Sequence, residues 1–276
     1  MKAVSDVRHA AVLGSPISHS LSPALHRAAY LELGLNWTYD AIEVTEEELA
    51  TFLDGCDDTW VGLSLTMPLK ETVLRLLDGA SELAVKTRSV NTLIWKDGRR
   101  VGYNTDAAGI QWALDEAGLE AHGTAAVFGS GATARSAVAA LGAFGYSDVV
   151  VCARRPEAVA SMQEAASLHG VSLQAEPWVR GAELLLSDIV VSTVPVGVAD
   201  EFAKSVPTAP GVLLDVVYSP WPSLIAQSWG DQGGTVVGGF EMLLGQAIFQ
   251  VETMTGLDAP VAAMREAGEA ELARRN

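Results

Sequence analysis

The run Thr124-Ala-Ala-Val-Phe-Gly-Ser-Gly-Ala-Thr-Ala-Arg135 is followed, after a helix-like stretch, by Val149-Val-Val-Cys-Ala-Arg-Arg155. Strand, glycine-rich turn, helix and strand in that order constrain the chain to a βαβ unit of the kind that holds a dinucleotide. Val127 and Phe128 end a buried strand, Gly129 allows the tight turn, and Gly131 lets the backbone approach a pyrophosphate. Ala134 takes the close-packing position, with Ser130, Ala132 and Thr133 as neighbouring phosphate contacts. The helix from Ala132 points its unpaired N–H groups at the phosphates, and Ala134, Val138, Leu141 and Phe144 form its buried stripe. At the tip of the second strand an NAD site would place Asp or Glu on the ribose 2′-hydroxyl. This chain has Arg154 and Arg155 there, two guanidinium groups that suit a 2′-phosphate, so the expected cofactor is NADP. Thr193, Val217 and Gly239 are further expected cofactor contacts.

At 276 residues the chain can build one large or two modest cores, and 49% hydrophobic against 19% charged residues describes a folded globular protein. A net charge of −16 disfavours nucleic acid and anionic membranes as partners, so an anionic small molecule must find local positive groups. Cys56 and Cys152 form no C-x-x-C pair and read as reduced packing residues. His9, His19, His26, His122 and His169 lack metal-ligand spacing, and no G-x-S-x-G motif speaks for a serine hydrolase. The N-terminal residues show no apolar signal segment and no run is long enough to span a bilayer, so a cytoplasmic protein is expected.

Short apolar strands alternate with helical segments throughout, the pattern of parallel sheets. The periodicity predicts strands near 10–14, 37–43, 60–65 and 89–95, with helices near 22–34, 46–54, 68–77 and 106–118. A second series of strands follows near 124–128, 148–153, 188–193, 211–215 and 235–237, then helices over 239–256 and 260–275. The expected architecture is α/β in two domains. Residues 1–105, rejoined by helices 241–276, form a substrate-binding domain with a mostly parallel sheet; residues 106–240 form a doubly wound Rossmann domain, with a cleft between the two.

Four polar clusters exceed what packing requires. In Gly14-Ser-Pro-Ile-Ser-His-Ser-Leu-Ser-Pro-Ala-Leu-His26, Ser22 reads as an N-cap with Pro23 at the first helical position, which leaves Ser20 to be explained. Two hydroxyls beside a helix start suit a small carboxylate or polyol. Gly62-Leu-Ser-Leu-Thr-Met-Pro-Leu-Lys-Glu71 puts Lys70 in the first turn of a helix, where a cation is electrostatically disfavoured. Ser89-Val-Asn-Thr92 and Gly102-Tyr-Asn-Thr-Asp106 are polar strand ends, with Asp106 a plausible N-cap. Asp215-Val-Val-Tyr-Ser-Pro220 pairs with Gly238-Gly-Phe-Glu-Met-Leu-Leu-Gly-Gln-Ala247, where Gln246 sits on an apolar helix and needs partners.

Taken in order, these clusters resemble the shikimate dehydrogenase family over nearly the whole chain. His19-Ser-Leu-Ser-Pro23 resembles its substrate-carboxylate serines and Leu65-Thr-Met-Pro-Leu-Lys70 its catalytic-lysine motif; Val90-Asn-Thr92 and Asn104-Thr-Asp106 resemble its asparagine and catalytic aspartate, and Met242-Leu-Leu-Gly-Gln-Ala247 its substrate glutamine. The resemblance implies reversible NADPH-dependent reduction of 3-dehydroshikimate to shikimate. It further implies Lys70 and Asp106 as the proton-transfer pair, with Ser20, Ser22, Thr66, Asn91, Tyr218 and Gln246 around a small-molecule substrate and no metal. A monomer or homodimer is expected. Two departures stand out: Ser64 where the family commonly has Asn, and Ala153-Arg-Arg155 where it has Asn-Arg-Thr. The first keeps a quinate- or aminoshikimate-type dehydrogenase in view. A nucleotide-binding regulator without turnover is the reading from another class, disfavoured by the presence of both Lys70 and Asp106.

Overall fold

The computed structural model describes residues 7–275. It divides into two compact units, one of residues Met1–Thr105 with Gln246–Asn276 and one of Asp106–Gly245.

The first unit has strands β1 (Arg8–Gly14), β2 (Trp37–Glu43), β3 (Trp60–Leu65), β4 (Gly79–Ala80), β5 (Thr92–Lys96) and β6 (Arg99–Tyr103), in the spatial order β2-β1-β3-β5-β6-β4. Between them run helices α1 (Ser22–Glu32), α2 (Leu49–Asp54), α3 (Leu69–Thr72) and α4 (Glu82–Lys86). β1 pairs in parallel with β2 and β3, and β4 with β6, whereas β3–β5 and β5–β6 are antiparallel. The sheet is therefore mostly parallel, as the alternation of elements suggested, and its antiparallel pairings are confined to β5, which runs against both β3 and β6. The antiparallel hairpin turns through Asp97 (φ +51°) and Gly98 (φ +73°), both left-handed, the conformation an Asp-Gly pair supplies for a two-residue hairpin. Strands β4 and β6 are additions to the expected set. Leu13, Leu63, Leu65, Leu69, Val73, Val90 and Leu93 pack one face of the sheet into a core.

The second unit opens with α5 (Asp106–Glu116). It continues β7 (Ala125–Phe128), α6 (Ala132–Phe144), β8 (Asp148–Ala153), α7 (Gln163–Ser167), β9 (Ser172–Pro177), α8 (Gly181–Leu184), β10 (Ile189–Ser192), β11 (Val212–Asp215), α9 (Leu224–Asp231) and β12 (Thr235–Gly238). All six strands are parallel in the order β12-β11-β10-β7-β8-β9. This is the doubly wound arrangement, in which the first strand, here β7, lies centrally and the order reverses beside it. Every residue of β7 and β10 is buried, as a parallel sheet covered on both faces demands. β9, unexpected from the sequence, forms the edge and has no buried residue, so it lacks the apolar run that reveals a central strand.

Two helices close the chain: α10 (Gly239–Thr255), which runs across the boundary of the two units, and α11 (Val261–Arg275). α11 buries only Met264 and Gly268, as its charged, Ala-rich composition leads one to expect, and packs along α1. No helix among the described residues is long and apolar enough to cross a membrane.

Candidate active site

In the first unit a buried polar cage is centred on Gln250, one turn beyond Gln246 on α10. Gln250 Nε2 donates to the Asn91 carbonyl at 3.0 Å and to Thr92 Oγ1 at 3.1 Å, so the amide is fixed with Oε1 facing the other way. Oε1 then accepts from Ser64 Oγ at 2.8 Å and meets His26 Nε2 at 3.2 Å. The direction of the remaining bonds follows from counting protons. Ser64 has given its one proton to Gln250, so it accepts from Tyr39 OH at 2.6 Å. Tyr39 has given its proton to Ser64, so its bond with the Ser22 side chain has Ser22 as donor. His26 carries its proton on Nε2 by the same argument. Its Nδ1 accepts from Tyr30 OH at 3.3 Å, and its ring stacks on Tyr39 with centroids 4.0 Å apart. Complete burial, opposed by the bond to Gln250, pushes the His26 pKa down to about 3. Burial likewise drives Tyr39 far above the usual phenol range.

Asn91 is the other node. Its Nδ2 donates to Thr105 Oγ1 at 2.9 Å and to Gln246 Oε1 at 3.3 Å, while its Oδ1 accepts from the Thr105 amide at 2.8 Å and from Thr92 Oγ1 at 2.9 Å. Asn91, Thr105 and Gln246, three strand-end or helix residues far apart in sequence, are thus bonded together and buried. Leu65 ends β3 and Thr66 follows it beside them: Leu65 N–H donates to the Asn91 carbonyl and Thr66 N–H to the Leu13 carbonyl. Lys70, half-buried on α3, accepts the Val90 N–H on its carbonyl, one residue from Asn91. A Cβ at Gly14 would lie 2.4 Å from Thr66 Cγ2, so that position admits only glycine.

The serine loop departs from the expected capping. α1 begins at Ser22 itself, one residue early, with Leu21 at the N-cap position and no side-chain cap there. It is Ser20 whose Oγ accepts the Ser22 N–H, at 3.2 Å. Ser22 is free of the capping role because its hydroxyl is drawn inward to Tyr39. The Ser20 hydroxyl thus acts as an acceptor within the loop.

In the second unit Asp106 is the first residue of α5 and is buried. Lys70 and Asp106 belong to different units, and so do the serine loop and Tyr218, which is half-buried just after β11.

Gly129, Ser130 and Gly131 after β7 and Thr193 after β10 line one cleft of about 270 Å³ with Arg154, Arg155, Trp178 and Pro195. That is where the strand order reverses, the crevice in which doubly wound sheets bind ligands. Gly129 has φ +112°, and a Cβ there would lie 2.6 Å from Thr193 Oγ1, whose proton goes to the Phe128 carbonyl. At Gly131 a Cβ would meet nothing within 4 Å, so the protein's own packing does not require that glycine; a ligand approaching the backbone would. α6 has no side-chain cap at Gly131, so its first N–H groups, at Ala132 and Thr133, are available to an anion. Ala134 is wholly buried in the close-packing position. Arg154 and Arg155 follow β8 directly, and both are exposed. These features fit a dinucleotide with a 2′-phosphate. Val217 and Gly239 are not among the cleft-lining residues. Val217 lines a small adjoining recess and its N–H donates to Asp215 Oδ1. Gly239 is needed by the fold, since a Cβ there would lie 2.2 Å from the Val216 carbonyl oxygen.

Sequence reasoning missed Gln250, His26 and Tyr39 as parts of the site and Trp178 as part of the cleft. Gln250 had a readable signal: a second Gln at i+4 on an apolar helix. Cys56 and Cys152 are free thiols, and no cluster among the described residues could hold a metal ion.

The profile of the shikimate dehydrogenase substrate binding domain matches residues 12–93, and that of the shikimate 5′-dehydrogenase C-terminal domain residues 239–267. The shikimate dehydrogenase (NADP(+)) of Desulfitobacterium hafniense strain Y51 is 35% identical over 266 residues, 95% of this chain and 97% of its own length. A protein of the same name from Thermus thermophilus is also 35% identical, over 95% and 98% of the two chains. Among solved structures, Mycobacterium tuberculosis shikimate dehydrogenase matches with a TM-score of 0.88 and 41% identity, over 95% of this chain and 99% of its own. Shikimate 5-dehydrogenase from Thermus thermophilus, solved in complex with NADP(H) and shikimate, gives 0.85 and 33%, over 95% and 99%.

Proposed function

Because this chain belongs to the shikimate dehydrogenase family, we propose that it interconverts shikimate and 3-dehydroshikimate with NADP as the hydride carrier. The observation that carries the reading is the cleft at the reversal of strand order, with a glycine turn on its floor and Arg154 and Arg155 on its rim. Residues Gly129 to Ala134 with Arg154 and Arg155 would hold the dinucleotide, which would supply hydride-transfer chemistry to the alcohol or ketone carbon.

The chain's own residues have the proton and the substrate to manage. The hydroxyl proton must leave as the hydride does, which calls for a positioned acid/base. Lys70 takes that role at the reacting oxygen, where its ammonium stabilises developing alkoxide and donates in the reductive direction. Asp106 orients it. Ser20 donates to the substrate carboxylate through the hydroxyl that acts as an acceptor within the loop. Ser22, whose proton goes to Tyr39, supports the loop and offers the substrate only lone pairs. Thr66, Asn91, Gln246 and Tyr218 address the ring hydroxyls and the reacting edge. Gly129 to Ala134 and Thr193 cradle the pyrophosphate, and Arg154 and Arg155 hold the 2′-phosphate. Working on small molecules, the enzyme would act in the cytoplasm, as a monomer or homodimer.

The test is absorbance at 340 nm with shikimate and NADP, set beside quinate and NAD. Preferred turnover of quinate with NAD would overturn the assignment and favour the quinate-type alternative left open by Ser64.

A further inference from the structure

We propose that Arg275, in the last turn of α11, is a positioning residue for the substrate loop. Its guanidinium reaches back across the sequence to two consecutive carbonyls of that loop: Nη1 donates to the His19 oxygen at 2.7 Å and Nη2 to the Ser20 oxygen at 3.1 Å. Its third edge is anchored on its own helix, where Nε donates to Glu271 Oε1 at 2.8 Å, and Glu271 is further held by two bonds from Arg274. The Arg275 and Glu271 side chains are 26% and 20% exposed, and their bonds lie at the protein surface.

A guanidinium is planar and its donors form a rigid fork. Fastened through Nε, the fork presents its two Nη groups at a fixed spacing to the carbonyls of His19 and Ser20. Those oxygens set the planes of the peptides flanking Ser20, and the planes set the direction of its Cα–Cβ bond, about which the Ser22 N–H holds Oγ. The same cation adds a positive charge behind a loop that must receive an anion, in a chain of net charge −16. A lysine could neutralise charge there but could not hold two carbonyls and Glu271 in one fixed plane.

This inference rests on the reading that Ser20 donates to the substrate carboxylate, and the test separates the two. The full-length chain is compared with Arg275→Ala, Arg275→Lys, Ser20→Ala and the double variant in steady-state shikimate oxidation. Arg275→Ala should raise KM for shikimate about 3- to 10-fold, with kcat within about 2-fold and KM for NADP unchanged, the scale of misplacing one charge-assisted contact. Arg275→Lys should fall between that variant and the parent. The double variant should be no worse than Ser20→Ala alone, because a residue acting only through Ser20 has nothing left to act on. Additive losses in the double variant, or a parent-like KM in Arg275→Ala beside a raised one in Ser20→Ala, would overturn the positioning role and leave the substrate reading intact. A parent-like KM in Ser20→Ala would remove that reading and the inference with it.

Discussion

In the first unit the polar side chains of the cage are buried and bonded to one another, from Ser22 through Tyr39 and Ser64 to Gln250 and Asn91, whereas the second unit's cleft is lined by the glycine turn, by side chains such as Trp178 and Pro195, and by two exposed arginines. Each arrangement suits its ligand. A cage whose donors and acceptors are already assigned to one another is rigid, so it fixes Asn91 and Gln246 in place, and a ligand of the wrong hydroxyl pattern meets groups that cannot turn to suit it. Exposed guanidinium groups attract a phosphate from any direction, but water and salt weaken them. Substrate choice should therefore be sharp and insensitive to salt, and cofactor choice shallower and salt-dependent.

The largest effect is expected at the proposed proton-transfer pair. Lys70→Ala should lower kcat by about 10²- to 10⁴-fold and Asp106→Asn by at least about 100-fold, with cofactor affinity little changed. Turnover near that of the parent in either variant, followed by NADPH absorbance, removes that residue from the chemistry.

The arginines come next and test the second half of the comparison. Replacing both Arg154 and Arg155 by Ser should reduce the preference for NADP over NAD by about 100- to 1000-fold at low salt, since each contact is worth roughly 1.5–3 kcal/mol before screening. The loss should shrink as salt rises. Measuring kcat/KM for both cofactors at two ionic strengths decides it, and a preference that ignores salt would place the selectivity elsewhere.

Within the cage, Gln250→Leu strips partners from Ser64, His26, Thr92 and the Asn91 carbonyl at once. It should cost about 2–4 kcal/mol and lower Tm by roughly 5–10 °C, together with a higher KM for shikimate. An unchanged Tm would mean that the cage is not the rigid element the comparison supposes.

The smallest effect is a pH dependence carried by His26. Its pKa is about 3 when folded against an ordinary 6.5, so between those values the unfolded chain binds the extra proton. Stability from this group is complete above about pH 6.5 and is lost on acidification, by about 1.4 kcal/mol per pH unit, or about 2 kcal/mol by pH 5. Denaturant unfolding at pH 7 and pH 5 should show a shallower acid loss in His26→Gln than in the parent. Equal slopes would count against it.

The glycine turn, the apolar strands flanking it and the paired arginines were legible in the sequence because each depends on residues a few positions apart. Steric freedom at Gly129, burial of Val127 and Phe128 and the charge of Arg154 need no distant partner. Nearly all central strands were readable for the same reason. The edge strand β9 was not, because a strand with no buried residue carries no apolar run. The hairpin through Asp97 and Gly98 left a two-residue signal that the surrounding alternation of helices and strands obscured. What only the tertiary structure decided is which polar atoms answer one another. Ser22 was expected to cap a helix, yet its proton goes to Tyr39; Ser64, met as a departure from a family pattern, is a relay between Tyr39 and Gln250; and Arg275 reaches a loop at the opposite end of the chain. Hydrogen bonds are set by distance and direction in space, and a sequence states which donors and acceptors exist without stating which of them will meet.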